Sequence, residues 1–484
     1  MWNNSPIDAA GSIGAGDDDV SLSVVIEMIG AKTEMTGTIG DMDDFEDIAL
    51  HLRVEGEKLS DLNAIAGSFL PIGPYAIQAD LRGGKDQTYI LENIKARIAE
   101  SDVTGRAEFI SGERPRLRAD LKSALLDLDA LLAKSESAAP AENSNTGADG
   151  EAGAAAEDDS APKRVFPDDP LDFAALDEAD AEVSLKVSEL RYGGLTLRDA
   201  EIGVALEQGT LSIKPLNANL GGGSVTSRIA LQSRSARPQL QFALNMTEVG
   251  LADVKPLFDM SDILEGPLDV DISFTGQGRT AHEIAASLGG QIEVLIGTGT
   301  GTGTIPNAYV VLIAADLLNF IVPGGGGDAA RLNCFVARFD IKDGVAVNKA
   351  LLFDTALTTT ADKGQIDFGR ETAYLTVVPR PRDPSLLNLA IPVVIDGPLL
   401  DLSYNLKKEE ALLGLAGAVL GTVLLGPFGI LIPLVSAGSG DENPCLTALE
   451  QTAESEQPAG EEAPAASPEK AVEDALDNVL GIFG

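Results

Sequence analysis

Residues 333–381 read NCFVARFDIKDGVAVNKALLFDTALTTTADKGQIDFGRETAYLTVVPRP. Val336, Phe339 and Ile341 are apolar around Arg338 and Asp340, and Val345 and Val347 resume the alternation after Asp343-Gly344. Ile366, Phe368, Leu375 and Val377 carry it onward through residues 365–368 and 374–378. Apolar residues at every second position put one side of a strand in contact with oil and the other with water. The stretch predicts an antiparallel meander that turns at Asp-Gly, Lys-Gly and Phe-Gly, with one greasy face and one wet face.

Composition extends that reading to the rest of the chain. Of 484 residues, 44% are hydrophobic but only 5% aromatic, so any interior is aliphatic. Lys and Arg total 35 against 75 Asp and Glu, a formal charge of −40. That balance argues against nucleic acid as a partner and against electrostatic docking on anionic headgroups. Cys334 and Cys445 are the only cysteines. Two cysteines make no disulfide framework, and a bridge across the long charge-free stretch between them is not expected, so cysteine usage leaves the compartment open. Met1 is followed by WNNSPIDAAGSIGAGDDD, which has no basic start and no apolar core, so neither a signal peptide nor an anchor helix is expected there.

Six zones follow along the chain. Residues 1–132 and 171–406 are two β-rich modules, with strands expected at 20–26, 48–54, 76–81, 103–109 and 117–121 in the first. In the second they are expected at 183–187, 200–206, 211–213, 224–231, 240–246, 270–274 and 291–295. Residues 133–170 (SESAAPAENSNTGADGEAGAAAEDDSAP at their centre) have nothing to bury and read as a solvated linker. Residues 407–440 hold an apolar segment without charge beyond Lys407-Lys408 and Glu409-Glu410. Its first 15 apolar residues span about 22 Å as helix, short of a bilayer core, so a re-entrant or packing element is expected, with a membrane span as the alternative. Residues 441–468 read as an acidic disordered tail and 469–484 as an amphipathic helix with Val472, Leu476, Val479, Leu480 and Phe483 on one face. Short helices are also expected at 60–66, 281–288 and 308–321.

The two modules echo one another. LSDLNAI at 59–65 and LADVKPL at 251–257 each precede a Gly-Pro pair, Gly73-Pro74 and Gly266-Pro267, and then a strand. Arg114-Pro115 and Arg237-Pro238 form a second echo. Repetition at this scale describes an architecture that grows by adding units.

The order of landmarks resembles the C-terminal region of AsmA-family envelope proteins. Those landmarks are Cys334, Asp343-Gly344, residues 352–355, the Gly364-Gln365-Ile366-Asp367 strand, Glu371, Pro379 and Pro381. LPIGPY at 70–75 and the Gly-rich passage at 190–231 are similar to passages of AsmA and TamB relatives. The resemblance implies an all-β fold with a few short helices, its antiparallel strands forming an elongated curled sheet like the chorein-type groove. It further implies glycerophospholipid carried in that groove between inner and outer membrane, on the periplasmic side of the inner membrane, in support of outer-membrane biogenesis. About 28 strands at roughly 4.8 Å each give a groove on the order of 130 Å. Such a groove implies phospholipids and membrane contact, and an envelope protein partner or anchor subunit to complete the path. Val336, Phe339, Ile341, Val345, Val347, Ile366, Phe368, Leu375 and Val377 are the residues expected to line it. The alternative is a non-transporting β-scaffold that assists outer-membrane protein assembly or regulates targeting of proteins to the membrane.

Nothing in the sequence points to an enzyme, a cofactor or a metal. His51 and His282 lie in different modules without Cys or His at metal spacing, and no G-x-S-x-G elbow is present. GTGTGTGT at 297–304 lacks the Gly-Lys-Ser/Thr ending of a phosphate loop. Asp41, Asp43, Asp44, Glu46 and Asp47 lack the Gly and Glu that a calcium loop requires, and read as a solvated turn.

Overall fold

The computed structural model describes residues 7–16, 19–40, 47–62, 71, 73–132, 164–257, 266–297, 332–355, 358–381, 393–406, 445 and 448–449. Strands β1–β8 are Ile7–Ala15, Val20–Met28, Ala31–Ile39, Ile48–Gly56, Tyr75–Gly83, Thr88–Ile98, Ser101–Ile110 and Arg116–Asp127. Strands β9–β15 are Asp180–Tyr192, Leu195–Glu207, Thr210–Leu220, Gly223–Gln232, Gln239–Gly250, Pro267–Gln277 and Gly289–Ile296. Strands β16–β21 are Leu332–Lys342, Val345–Thr355, Thr358–Asp367, Thr372–Pro381, Val393–Pro398 and Ser403–Leu406. All 21 belong to one sheet, in which each strand pairs with the next in chain order. The pairings are antiparallel except β8 with β9, which run parallel. An all-β, open and elongated sheet with few helices is the fold read from the sequence.

Every strand range read from the sequence is present, and β1, β3, β6, β20 and β21 are additional; the described strands number 21 where about 28 are expected from the sequence. In the segment that decided the fold, Asp343 (φ 49°) and Gly344 (φ 74°) form the two-residue turn between β16 and β17. Both central residues at positive φ match the twist of a tight hairpin. Lys363-Gly364 is not a turn: both residues sit inside β18, where Gly364 leaves room for the backbone oxygen of Tyr374. A glycine within a strand marks such a close backbone approach as readily as a turn.

The internal echo is structural. The N–H of Leu59 donates to the Gly73 carbonyl at 2.9 Å, and that of Leu251 to the Gly266 carbonyl at 2.9 Å. Each leucine opens a short 3-10 segment, Leu59–Leu62 or Leu251–Leu257, and is buried at one end of the strands. The second echo behaves alike, since Pro115 and Pro238 carbonyls accept from Asp180 and Gly278 N–H groups. Helix α1 (Leu128–Leu132) has no counterpart among the helices expected from the sequence, and α2 (Ala281–Ala286) falls within the expected 281–288. Thr280 caps α2 by accepting from the Glu283 N–H at 3.0 Å. Residues 308–321, 407–440 and 469–484 lie outside the described residues, as does residues 298–304 of the Gly-Thr run.

The start of the parallel pair is fixed by charge. Arg114 Nε donates to Asp180 Oδ1 at 2.8 Å, and its other nitrogens to the Asp177 and Ala179 carbonyls. Asp180 also accepts from the Gln208 N–H at 2.9 Å. The Arg114 guanidinium, helped by that N–H, pulls the Asp180 carboxyl from 3.8 to about 2. A carboxyl lowered on folding stabilises the fold above its unfolded value and loses that contribution as pH falls through the folded one. Wild-type stability should therefore decline between pH 3.8 and about 2 more steeply than that of Asp180→Asn, measured by denaturant titration across that window.

Of the linker expected over 133–170, the described residues 164–170 are held against the sheet by hydrogen bonds, which the sequence reading did not expect. Glu371 accepts the Val165 and Phe166 N–H groups at 2.8 and 3.2 Å, and the Phe166 ring meets Phe368 edge-on. The His282 N–H then donates to Pro167, the Leu171 N–H to Arg279, and Arg234 to Asp177. These contacts lace residues 164–177 along the strand ends from β19 back toward β9. No sequence signal announces such contacts, because their partners lie up to 206 residues away.

Cys334 and Cys445 form a disulfide, with Cα atoms 6.2 Å apart. That corrects both the expected absence of a bridge and the reading of residue 445 as part of a disordered tail. Cys445 is fully buried with Leu295, Val336 and Leu352, and Ala448 and Leu449 pack on the same cluster. The reason is local: Leu295, Val336 and Leu352 are cross-strand partners that put an apolar patch on the otherwise polar face. The Cys445 segment covers it.

Candidate functional site

Cross-strand partners share a face, so a row can be followed from strand to strand through the register. Starting at Ile13, the partners are Leu22, Gly37, Leu50, Leu81 and Leu91 in β2–β6. Ala107, Ala119, Val183, Val204, Ile213 and Ile229 follow in β7–β12. Phe242, Phe274, Gly290, Ile341, Ala346, Ile366, Ala373 and Gly397 complete it in β13–β20. Not one member is polar. At strand spacing the row is roughly 90 Å long.

The opposite face is as consistent. Glu34, Arg53, Gln78, Lys95, Thr104, Lys122 and Lys186 are successive partners, and Glu201, Asn217, Thr226, Asn245, Asp271, Glu293 and Arg338 continue them. Register holds through the bulges in β6, β10, β11, β13 and β17, where the ladder shifts and then resumes on the same face. Gly37 and Gly290 serve the row for a backbone reason. Both have positive φ (146° and 150°), and a Cβ on either would strike a neighbouring carbonyl, Ala49 or Ser273.

Burial divides the apolar face into two parts. From Leu22 to Phe274 every member of the row is half-buried except Ala119, which is buried. The Phe242 and Phe274 rings stack there with centroids 4.9 Å apart. Ile341, Ala346 and Ala373, further along, are buried. Beside that end, α2 brings Ala286 against Gly344 and Gly369, and Ile284 and Leu288 against Gly276. Along this row the apolar face is half-buried over β2–β14, roughly 60 Å. Toward one strand end the same face is packed under the 3-10 segment, where Leu220, Val225, Val249 and Leu268 are buried with Leu251 and Val254. Beyond β14 it is buried at Ile341, Ala346 and Ala373 but half-buried at Ile366.

The nine residues expected in the groove are not all neighbours. Phe339, Ile341, Ile366, Leu375 and Val377 lie on the apolar face, with Leu375 and Val377 packed against Val393 and Ile395. Phe368 sits in the turn after β18 against Phe166. Val336 belongs to the disulfide cluster on the other face. Val345 and Val347 also face that way, Val347 pairing with Asp340 and Gln365 and standing exposed. Inside each hairpin the alternation was read correctly; which strand's phase matched which face depends on register, which one hairpin does not reveal. The half-buried residues of β4–β14 were missed as site residues. Leu50, Leu81, Ile213, Ile229 and Phe242 carried the same alternation and could have been found from it.

His51 Nδ1 lies 2.8 Å from Asp80 on the exposed polar face, and His282 lies beside Glu371. Among the described residues no cluster of His, Cys, Asp or Glu could hold a metal ion. Asp41, Asp43, Asp44 and Glu46 lie outside them. Among the described residues, too, no helix is long and apolar enough to cross a membrane.

A single open sheet, greasy along one face and wet along the other, defines an extended open-sheet protein. The model of the AsmA family matches residues 49–351, more than half of the chain, and the chain belongs to that family. It is 24% identical over 471 residues to the AsmA family protein YhjG of Escherichia coli (strain K12), a match covering 93% of this chain and 67% of that one. It is 23% identical over 288 residues to Protein AsmA of the same organism, covering 56% of this chain and 44% of that one. No solved structure matches. Family membership supports an envelope-associated function.

Proposed function

We propose that this chain carries glycerophospholipid along the apolar face of its sheet, on the periplasmic side of the inner membrane, in support of outer-membrane biogenesis. The observation that carries the proposal is the unbroken apolar row with its half-buried stretch from Leu22 to Phe274. All 21 described strands lie in one sheet, so among the described residues no second sheet faces that row. An apolar surface of this length left in water calls for an occupant. Acyl chains fit it chemically, each methylene withdrawn from water contributing roughly 0.8 kcal/mol. Headgroups would then lie along the strand ends, in water.

The Cys334–Cys445 bridge supports placement outside the reducing cytosol, because structural disulfides persist in oxidising compartments. The apolar composition of residues 411–440 favours contact with a bilayer. With 67% of one relative's length and 44% of the other's covered, completing a path between membranes is assigned to further sequence, an anchor subunit or an envelope partner. No catalytic step, cofactor or nucleic acid enters this role. Mass spectrometry of the purified chain tests it: co-purified phospholipid is expected, and a lipid-free, monodisperse chain that takes up none from vesicles would favour the scaffold alternative.

A further inference from the structure

The two ends of the strands treat the apolar face differently. At the end that carries the β2–β3 and β6–β7 turns, three short elements lie over it in succession. Leu59 of the first 3-10 segment packs with Ala31 and Tyr75. Leu128 and Leu131 of α1 pack on Val187, Leu190 and Ala200. Leu251 and Val254 of the second 3-10 segment pack on Val225, Val249 and Leu268. That side of the face is roofed from β3 to β14.

At the opposite end a second apolar row runs beside the first. Tyr89, Phe109, Leu117, Ala181, Leu206 and Leu211 are successive partners in β6–β11. Each stands two residues from a member of the main row and so shares its face. From β9 onward residues 164–177 lace this end, and α2 sets Ile284 and Leu288 against Gly276. Among the described residues nothing comparable covers β7 and β8. Phe109 is 43% exposed and Leu117 38%, whereas Ala181, Leu206 and Leu211 are half-buried. A ring and an isobutyl group held side by side in water forgo the gain of burial. They form a greasy lip from which the main row, at Ala107 and Ala119, is two residues away, roughly 7 Å.

The routes along the row are longer or closed. A hydrocarbon chain approaching from β19 meets the buried Ala373, Ala346 and Ile341. One approaching over β1 passes the exposed Ile13 and must cross six strand spacings, roughly 29 Å, to reach β7.

We propose that acyl chains pass in and out of the apolar face sideways, over the lip formed by Phe109 and Leu117, with the headgroup staying at that unroofed end. The inference rests on the lipid-carrying reading and adds to it a point of entry.

Cys334 and Cys445 are bonded to one another and buried, so a single introduced cysteine takes a thiol-reactive label selectively. Phe109→Cys, Ile13→Cys and Tyr404→Cys, each carrying a polyethylene-glycol maleimide, place the same bulk at the lip and on the outermost described strands, β1 and β21. Uptake of a self-quenched fluorescent phospholipid from phosphatidylethanolamine–phosphatidylglycerol vesicles is followed for the full chain, labelled and unlabelled. The label at position 109 should slow initial uptake at least about tenfold, while labels at 13 and 404 leave it unchanged. Phe109→Asp should also slow it, because a carboxylate at the lip resists losing its water to a passing tail, and Phe109→Leu should keep the wild-type rate. Lipid held at equilibrium should be equal in all of them, since the main row is intact. An unchanged rate with the label at 109, or a rate slowed only from position 13 or 404, would overturn the lip and leave the groove standing. No uptake by any chain, the unlabelled wild type included, would remove the groove reading and the lip with it.

Discussion

Aspartate at both Leu91 and Ile229 is expected to empty the chain of phospholipid, lowering co-purified lipid at least about tenfold. Both residues are half-buried members of the apolar row and lie on strands far apart, β6 and β12. Neither substitution therefore sets two like charges opposite one another in the sheet. A carboxylate in the row keeps its hydration only if no acyl chain covers it, and withdrawing it from water without a partner costs several kcal/mol. Native stability should fall little, since each side chain already meets solvent. Aspartate at Gln78 and Asn245, on the opposite face of β5 and β13, should leave the lipid content unchanged. Charging Leu375 would be uninformative by contrast, because it is buried in a packed cluster with Val377, Val393 and Ile395 and its loss would unfold that end of the sheet. Lipid content equal in the row variant and the wild type would count against carriage on this face.

Removing the disulfide is expected to have the largest effect on stability. Cys334→Ser with Cys445→Ser opens a covalent loop with a sequence separation of 111, and loss of a bridge of that kind typically costs about 2–4 kcal/mol. Packing adds to it, because Cys445, Ala448 and Leu449 cover Leu295, Val336 and Leu352 on the polar face. Chemical denaturation of oxidised, reduced and double-serine chains would measure the loss. Amide exchange should localise the opened region to β15–β17 rather than to β4–β13. Equal stability of oxidised and reduced chains would mean that packing alone holds the Cys445 segment.

Much of the fold was legible because one physical rule, alternation at period two, governs nearly every strand. Residues 268–274 show it in its clearest form: Leu268, Val270, Ile272 and Phe274 face one way, and Asp269, Asp271 and Ser273 the other. β3 escaped because Ala31, Thr33, Met35, Gly37 and Ile39 alternate with weak hydrophobes, so the pattern is there at low amplitude. β1 escaped for its glycines and serine. The repeat Leu-x-Asp before Gly-Pro was legible, and its shared hydrogen bond explains why both copies keep that order.

What remained hidden is long-range. The bridge from Cys334 to Cys445 and the hold of Glu371 on Val165 and Phe166 join segments with no local signature. The parallel pairing of β8 with β9 likewise follows from how the intervening chain returns, not from either strand. Placement of the site suffered for the same reason. The segment richest in turns and aliphatic residues, 333–381, announces the fold most clearly, yet Ile341, Ala346, Leu375 and Val377 there are buried, while the half-buried members of the row lie mostly in the quieter strands before it.

The central claim is that lipid tails occupy one face of the sheet and avoid the other, and site-specific photo-crosslinking reads that most directly. A benzophenone amino acid placed at Phe242 and, separately, one residue earlier at Gln241 differs only in which face it explores. Irradiation of the full chain loaded with phospholipid should give a lipid adduct at Phe242 and none at Gln241. Adducts of equal yield at both positions, or at neither, would contradict it.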